Sequence, residues 1–180
     1  MERRSGYCDL IRVHHTGPEP HRGILLADTV TIPCALGRTG IAATKREGDG
    51  ASPAGVFPLR KLYFRPDRIY RPRCGLDTEP ISSDLGWCDD PRSAHYNRPV
   101  RLPFAGSHET MRRDDQLYDL VIVIGHNDNP APRKPLGSAI FMHLARPGFA
   151  PTEGCVALRR ADLIRLIGRI GPQTRIAIGR

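Results

Sequence analysis

No apolar stretch in this chain runs far before a glycine, proline or aspartate cuts it, and that punctuation limits the fold more than any single motif does. The runs Asp9–His14, Arg22–Ala27, Thr29–Leu36 and Gly55–Phe64 are short and rich in β-branched residues, the pattern of strands in a meander. Pro58, inside the fourth run, requires an edge position or a bulge. Tyr118–Ile124 and Ser138–His143 are apolar at strand length and predict the central strands. Only Ala161–Ile170 carries a helical period: Leu163, Ile164, Leu166, Ile167 and Ile170 share one face, and Gly171-Pro172 ends it. Thr174–Ile178 closes the chain as a strand. The expected fold is mostly β, a mixed-sheet sandwich or partly closed barrel with one main α-helix near the C-terminus.

At 180 residues the chain fits one domain, 1–180. Between about residues 65 and 111 the periodicity dissolves into Pro, Gly, Asp and Arg, interspersed with Tyr70, Trp87, Tyr96 and Phe104. This segment is expected to be a strandless lid or insert, ordered by its own aromatic side chains and forming a wall over a site. With 18 glycines and 17 prolines the chain is turn-rich without reaching a disordered composition. No apolar run approaches the ~18–20 residues of a membrane span, so none is expected.

Lysine and arginine outnumber aspartate and glutamate 27 to 19, and the net charge of +8 favours an anionic partner: nucleic acid, anionic lipid or an acidic polymer. The basic pairs, Arg3-Arg4 and Arg159-Arg160 among them, are scattered as on a solvated surface. No helix-turn-helix, zinc-finger or RNP-type pattern is present, and no nucleic acid is expected as partner. Five cysteines without a CxxC spacing argue against a disulfide scaffold, and Cys8, Cys34, Cys74 and Cys88 read as structural. A zinc site from Cys74, Cys88, His95 and His108 fits no standard spacing, and no metal is expected.

The segment that carries chemistry is Ser138–His143, followed after a loop by Thr152-Glu-Gly-Cys-Val-Ala-Leu158. A histidine ending an apolar strand and a cysteine twelve residues later meet if the loop brings the chain back alongside, which is a Cys/His nucleophile–base pair in outline. Gly154 allows close backbone approach to a bound carbonyl, so the amides of Gly154 and Cys155 are candidates for an oxyanion hole.

In these residues the chain resembles the L,D-transpeptidases with a YkuD-type catalytic domain. Their signature, a strand ending in His, a loop, then Ser/Thr-X-Gly-Cys and a branched apolar residue, is matched by His143, Thr152, Gly154, Cys155 and Val156. Thr44-Lys45 and Ala51-Ser-Pro-Ala-Gly-Val-Phe57 look like a second family element about 90 residues earlier. The resemblance implies Cys155 as nucleophile and His143 as base in a two-step acyl transfer. Cys155 opens a peptidoglycan stem peptide at the L-centre of diaminopimelate, and the thioester passes to an amine on another stem. It also implies no cofactor, peptidoglycan stems as the partner, a monomer and a periplasmic or cell-envelope location. Met1–Cys8 lacks the apolar core of a secretion signal, which leaves a cytoplasmic chain, a shortened one or an undisplayed export route open.

Two departures stand out: Ala157, where many members carry Arg, and Glu153, where many place His or another residue. A carboxylate at Glu153 facing Cys155 would disfavour the thiolate and give an alkaline activity optimum. Thr152 and Glu153 are candidate substrate contacts. His126 is a rival histidine, expected to wall the same cleft. In Gly86–Asn97, Trp87 and Tyr96 with Asp89 and Asp90 either receive a stem's ammonium group or anchor the loop around an Asp-Asp-Pro turn. The competing readings are hydrolysis of the same thioester, giving an L,D-carboxypeptidase or endopeptidase, and a non-catalytic wall-binding module.

Overall fold

The computed structural model describes residues 6–179; Arg3-Arg4 and the rest of the first five residues lie outside them. The chain begins with β1 (Leu10–His15), β2 (Arg22–Ala27) and β3 (Val30–Ala35), then the short parallel pair β4 (Ile41–Ala42) and β5 (Ser52–Pro53), and the long β6 (Gly55–Phe64). Next come β7 (Asp77–Pro80), β8 (Leu85–Cys88), β9 (Arg98–Arg101) and β10 (His108–Thr110). The last third holds β11 (Leu120–Ile124), β12 (Phe141–Leu144), β13 (Val156–Leu158), α1 (Arg160–Ile167) and β14 (Arg175–Gly179).

One mixed sheet runs β11-β12-β13-β3-β2-β1-β14-β6-β7, and β6 pairs back to β11, so all but β7 close into a barrel. The length of β6 makes this closure possible: residues 55–58 pair with β14 and residues 59–64 with β11. The register shifts opposite Ile122–Ile124, a bulge beside Pro58, whose carbonyl accepts the Gly125 amide at 2.8 Å. The proline that removes a ladder donor thus stands where the ladder is already interrupted. The fold is mostly β with one helix near the C-terminus, as the strand punctuation predicts.

β11 and β12 are buried along their whole length, which explains why they are apolar apart from His143. Alternation divides them: Leu120, Ile122, Ile124, Met142 and Leu144 enter the barrel core, while Val121, Val123 and Phe141 face a second apolar cluster outside it. From α1, Leu163, Leu166 and Ile167, with Ile170 beyond its end, fill the first core. Ile164, expected on that face, is 50% exposed because it lies ~100° round the helix from Leu163. The helix stops at Ile167, earlier than expected, with Gly168 as its cap. Among the described residues no helix is long and apolar enough to cross a membrane.

The segment 65–111 is not strandless. β7 extends the main sheet, and β8 pairs antiparallel with β9 and β10 in a separate three-stranded sheet. Leu85–Cys88 is too short, and its partners Arg98–Arg101 and His108–Thr110 too polar, to leave a period-two signal. Trp87 from β8 packs edge-on against Phe141 of β12, with centroids 5.2 Å apart, and so seats this small sheet as a roof over the outer face of β11 and β12.

Candidate active site

The outer face of β12 and β13 carries the cysteine and the histidine. Met142 lies opposite Val156 and His143 opposite Ala157 in parallel register, so Cys155 continues the register beside Phe141. Period-two alternation then puts Cys155 and His143 on the same face, as diagonal neighbours. Such neighbours lie about 7–8 Å apart at Cα and less at Cβ, a gap that an imidazole ring spans. Both line one cavity of about 150 Å³, where Cys155 is 8% and His143 7% exposed.

Thr152 and Gly154 shape the turn that delivers the sulfur. Thr152 Oγ1 donates to the Cys155 carbonyl at 2.7 Å and accepts the Gly154 amide at 3.1 Å. The Gly154 amide is therefore committed to Thr152 rather than turned to a bound carbonyl, and the turn leaves the Cys155 amide as the oxyanion candidate. Gly154 has φ +133°, and a Cβ there would lie 2.7 Å from the Ala51 carbonyl oxygen. The close approach that this glycine permits is thus to the Ala51–Phe57 element, which joins the two motifs in space.

The sulfur is held by backbone. Cys155 Sγ accepts the Phe141 amide at 3.3 Å and donates to the Ala139 carbonyl at 3.4 Å. Ala139 has φ +52°, a conformation costly for a residue with a Cβ, and its amide donates to Asn97 Oδ1 at 3.1 Å. Asn97 Oδ1 also accepts Trp87 Nε1–H at 3.1 Å, and Nδ2 donates to the carbonyls of His126 and Asn127. Asn97 therefore ties the roof to the loop that carries Ala139. Burial pushes the Cys155 thiol up to about 12; the Phe141 amide opposes this and the charge on Glu109 adds to it.

His143 Nδ1 lies 2.8 Å from the Leu144 carbonyl, which can only accept, so Nδ1 carries the proton and Nε2 keeps a free lone pair. Tyr118 stands over the ring at 5.3 Å and donates its hydroxyl to Glu109 at 3.3 Å. Burial lowers His143 to about 4, and the charges of Arg146 and Arg113 reinforce it against the Leu144 carbonyl. The pair rests as neutral thiol and neutral imidazole.

Thr152 and Glu153 line the same cavity as Cys155, with the Glu153 carboxylate paired to Arg38. Arg38 Nε donates to both Glu153 oxygens at 3.0 and 3.2 Å, and the Glu153 side chain is 77% exposed. Its charge still raises Cys155, but Glu109 contributes more and burial most. Ala157 lines the cavity opposite His143, beside the space that Arg146 borders. Glu47, Asp89 and Glu109, with Glu153, are the carboxylates of the wall, and Arg113 and Arg146 line it as well, Arg113 close enough to act on Glu109.

His126 lies elsewhere. It lines a second cleft of about 330 Å³ with Trp87 and Asn97, and its Nε2–H donates to the Leu136 carbonyl at 2.9 Å. Trp87 is buried behind Phe141, and Tyr96 is fully buried, donating to Glu47 and accepting the Gly137 amide at 3.0 Å. Both support the cavity rather than line it. Asp90 turns to Arg92, whereas Asp89 lines the cavity. All five cysteines are free thiols, and among the described residues no three His, Cys, Asp or Glu side chains cluster as metal ligands. Sequence reasoning passed over Glu47, Asn97, Glu109, Arg113, Tyr118 and Arg146; of these, only Asn97, with φ +57°, belongs to a residue class that marks such a backbone position.

The chain matches the family model described as YkuD, L,D-transpeptidase catalytic domain, over residues 25–178. No curated protein and no solved structure matches it significantly.

Proposed function

From its membership of the family of L,D-transpeptidase catalytic domains, which the match across nearly the whole chain establishes, we propose that this protein is a cysteine peptidoglycan L,D-transpeptidase with Cys155 as nucleophile and His143 as general base. One observation carries the reading: a thiol and an imidazole with its Nε2 lone pair free share one cavity on one face of adjacent strands.

The carbonyl of the third stem residue enters beside Cys155. Sγ bonds to the carbonyl carbon as the thiol proton moves to His143 Nε2, and the Cys155 amide receives the oxyanion. Collapse breaks the amide bond; His143 returns the proton to the departing amine, and the terminal D-residue leaves with a thioester behind it. An amine on a second stem then attacks the thioester, loses a proton to His143 and releases the sulfur, which recovers that proton. Because the pair rests neutral, the proton moves as the C–S bond forms, and no standing thiolate is exposed to oxidants beforehand. The Phe141 amide steadies negative charge on sulfur during both steps.

A net charge of +8 suits a polyanionic wall, and the activity belongs in the cell envelope, where that polymer is. Incubation of the protein and its Cys155→Ala variant with disaccharide tetrapeptide, followed by mass, tests the reading. Cys155-dependent dimer is expected. Tripeptide alone makes the protein a hydrolase, and no Cys155-dependent change removes both.

A further inference from the structure

The roof meets the nucleophile at one short segment. Pairing between β11 and β12 reaches back to Ile140, whose carbonyl accepts the Ile124 amide at 3.0 Å, and residues 137–139 lie just outside that ladder. Two adjacent roof residues hold them instead. Tyr96 Oη accepts the Gly137 amide at 3.0 Å and shares Glu47 with the Ser138 hydroxyl, while Asn97 Oδ1 accepts the Ala139 amide at 3.1 Å. Asn97 is itself fixed. It is buried, its own amide donates to the Cys88 carbonyl at 2.9 Å, and its Nδ2 donates to the carbonyls of His126 and Asn127, both at 3.0 Å.

Ala139 needs such a hold. At φ +52° its Cβ crowds the carbonyl that follows, and an L-residue left to itself returns to negative φ. That rotation about the N–Cα bond would swing away the Ala139 carbonyl, which accepts the Cys155 thiol proton at 3.4 Å. The Phe141 amide, which also bonds the sulfur, would stay, because Phe141 sits in the ladder opposite Val123. We propose that Asn97 is a positioning residue for the nucleophile: by holding Ala139 left-handed it keeps the Ala139 carbonyl on the Cys155 thiol, which fixes the place of the sulfur and keeps it protonated at rest. For its effect on turnover the inference rests on the acyl-transfer reading, and it adds a residue of the roof that does not line the cavity. Removing the Asn97 side chain then has two effects of opposite sign. The sulfur leaves the line of attack, which slows acyl transfer. The thiol also loses an acceptor that favours its neutral form, which speeds its reaction with a small electrophile.

Asn97→Gly removes the side chain without straining its own backbone, whose φ is +57°. Release of the terminal residue from a soluble tetrapeptide donor should show kcat reduced at least about tenfold, with KM changed much less. Alkylation by iodoacetamide at pH 8, followed at Cys155 by peptide mass, should quicken by about threefold. Adding Ala139→Gly should return both rates toward wild type, because glycine takes positive φ without help from Asn97. A roof that had merely lost stability would lower Tm, and Ala139→Gly would not bring the activity back. Unchanged kcat, slower alkylation, or no recovery in the double variant overturns the proposal. If Asn97→Gly does not fold, Ala139→Val penalises the same backbone conformation with Asn97 in place. It should slow release and speed alkylation, and alkylation that fails to rise overturns the proposal. Absence of any Cys155-dependent release by the wild-type protein is a different result: it removes the acyl-transfer reading, and the alkylation rates alone then decide the role of Asn97.

Discussion

Replacing Gly154 by alanine isolates the contact that joins the two sequence motifs. Two costs apply. The backbone at φ +133° is one that L-residues rarely adopt, a strain of about 1–3 kcal/mol. The new Cβ would also stand 2.7 Å from the Ala51 carbonyl oxygen, closer than real Cβ contacts come, and overpacking of this kind costs a further ~1–3 kcal/mol. Together they amount to about 4 kcal/mol, which for a chain of this size lowers Tm by about 8–16 °C. Gly17 is the control: its φ is +77°, but nothing lies within 4 Å of a Cβ, so Gly17→Ala carries the backbone strain alone, about 1–2 kcal/mol. Thermal unfolding of both variants beside the wild type separates the two costs. Terminal-residue release should fall with Gly154→Ala, because the turn that presents Cys155 moves away from Ala51, and stay unchanged with Gly17→Ala. A Gly154→Ala protein that melts with Gly17→Ala and keeps wild-type activity would refute the argument.

With the thiol pushed up to about 12, alkylation of Cys155 by iodoacetamide should rise about tenfold per pH unit from pH 7 to 10 without a plateau. Glu109→Gln should move that profile to lower pH, and by more than Glu153→Gln, whose carboxylate is held by Arg38; a plateau near neutrality would reveal a standing thiolate–imidazolium pair instead. His143 makes stability depend on pH. Its folded value, about 4, lies below the unfolded ~6.5, so the unfolded chain binds the extra proton and stability is lost as pH falls between those values, by up to about 3 kcal/mol. His143→Gln should flatten the decline in Tm between pH 7 and 4; an unchanged slope would show that the ring does not rest buried and neutral.

The sequence determined those features whose cause is local. Leu120–Ile124 is apolar on both faces, and Phe141–Leu144 is apolar but for His143, because both faces are buried, so composition alone reveals them as strands. Pro58 marks its bulge because a missing amide proton is a property of the residue. The Thr152–Cys155 turn is likewise written within four residues, since the Thr152 hydroxyl closes it on its own neighbours.

Tertiary structure alone decided what surrounds the sulfur. Asp89 and Glu109 share a cavity wall because β8 and β10 pair with each other and Trp87 seats them on Phe141, and Glu47 joins them through the hydroxyls of Tyr96 and Ser138, contacts that no local period encodes. Arg38 pairs with Glu153 across 115 residues, and His126 falls into the neighbouring cleft with its ring tied to Leu136. Residue type sets what a side chain can do, but its charge acts through distance and burial, and both are fixed only when strands remote in the chain lie side by side.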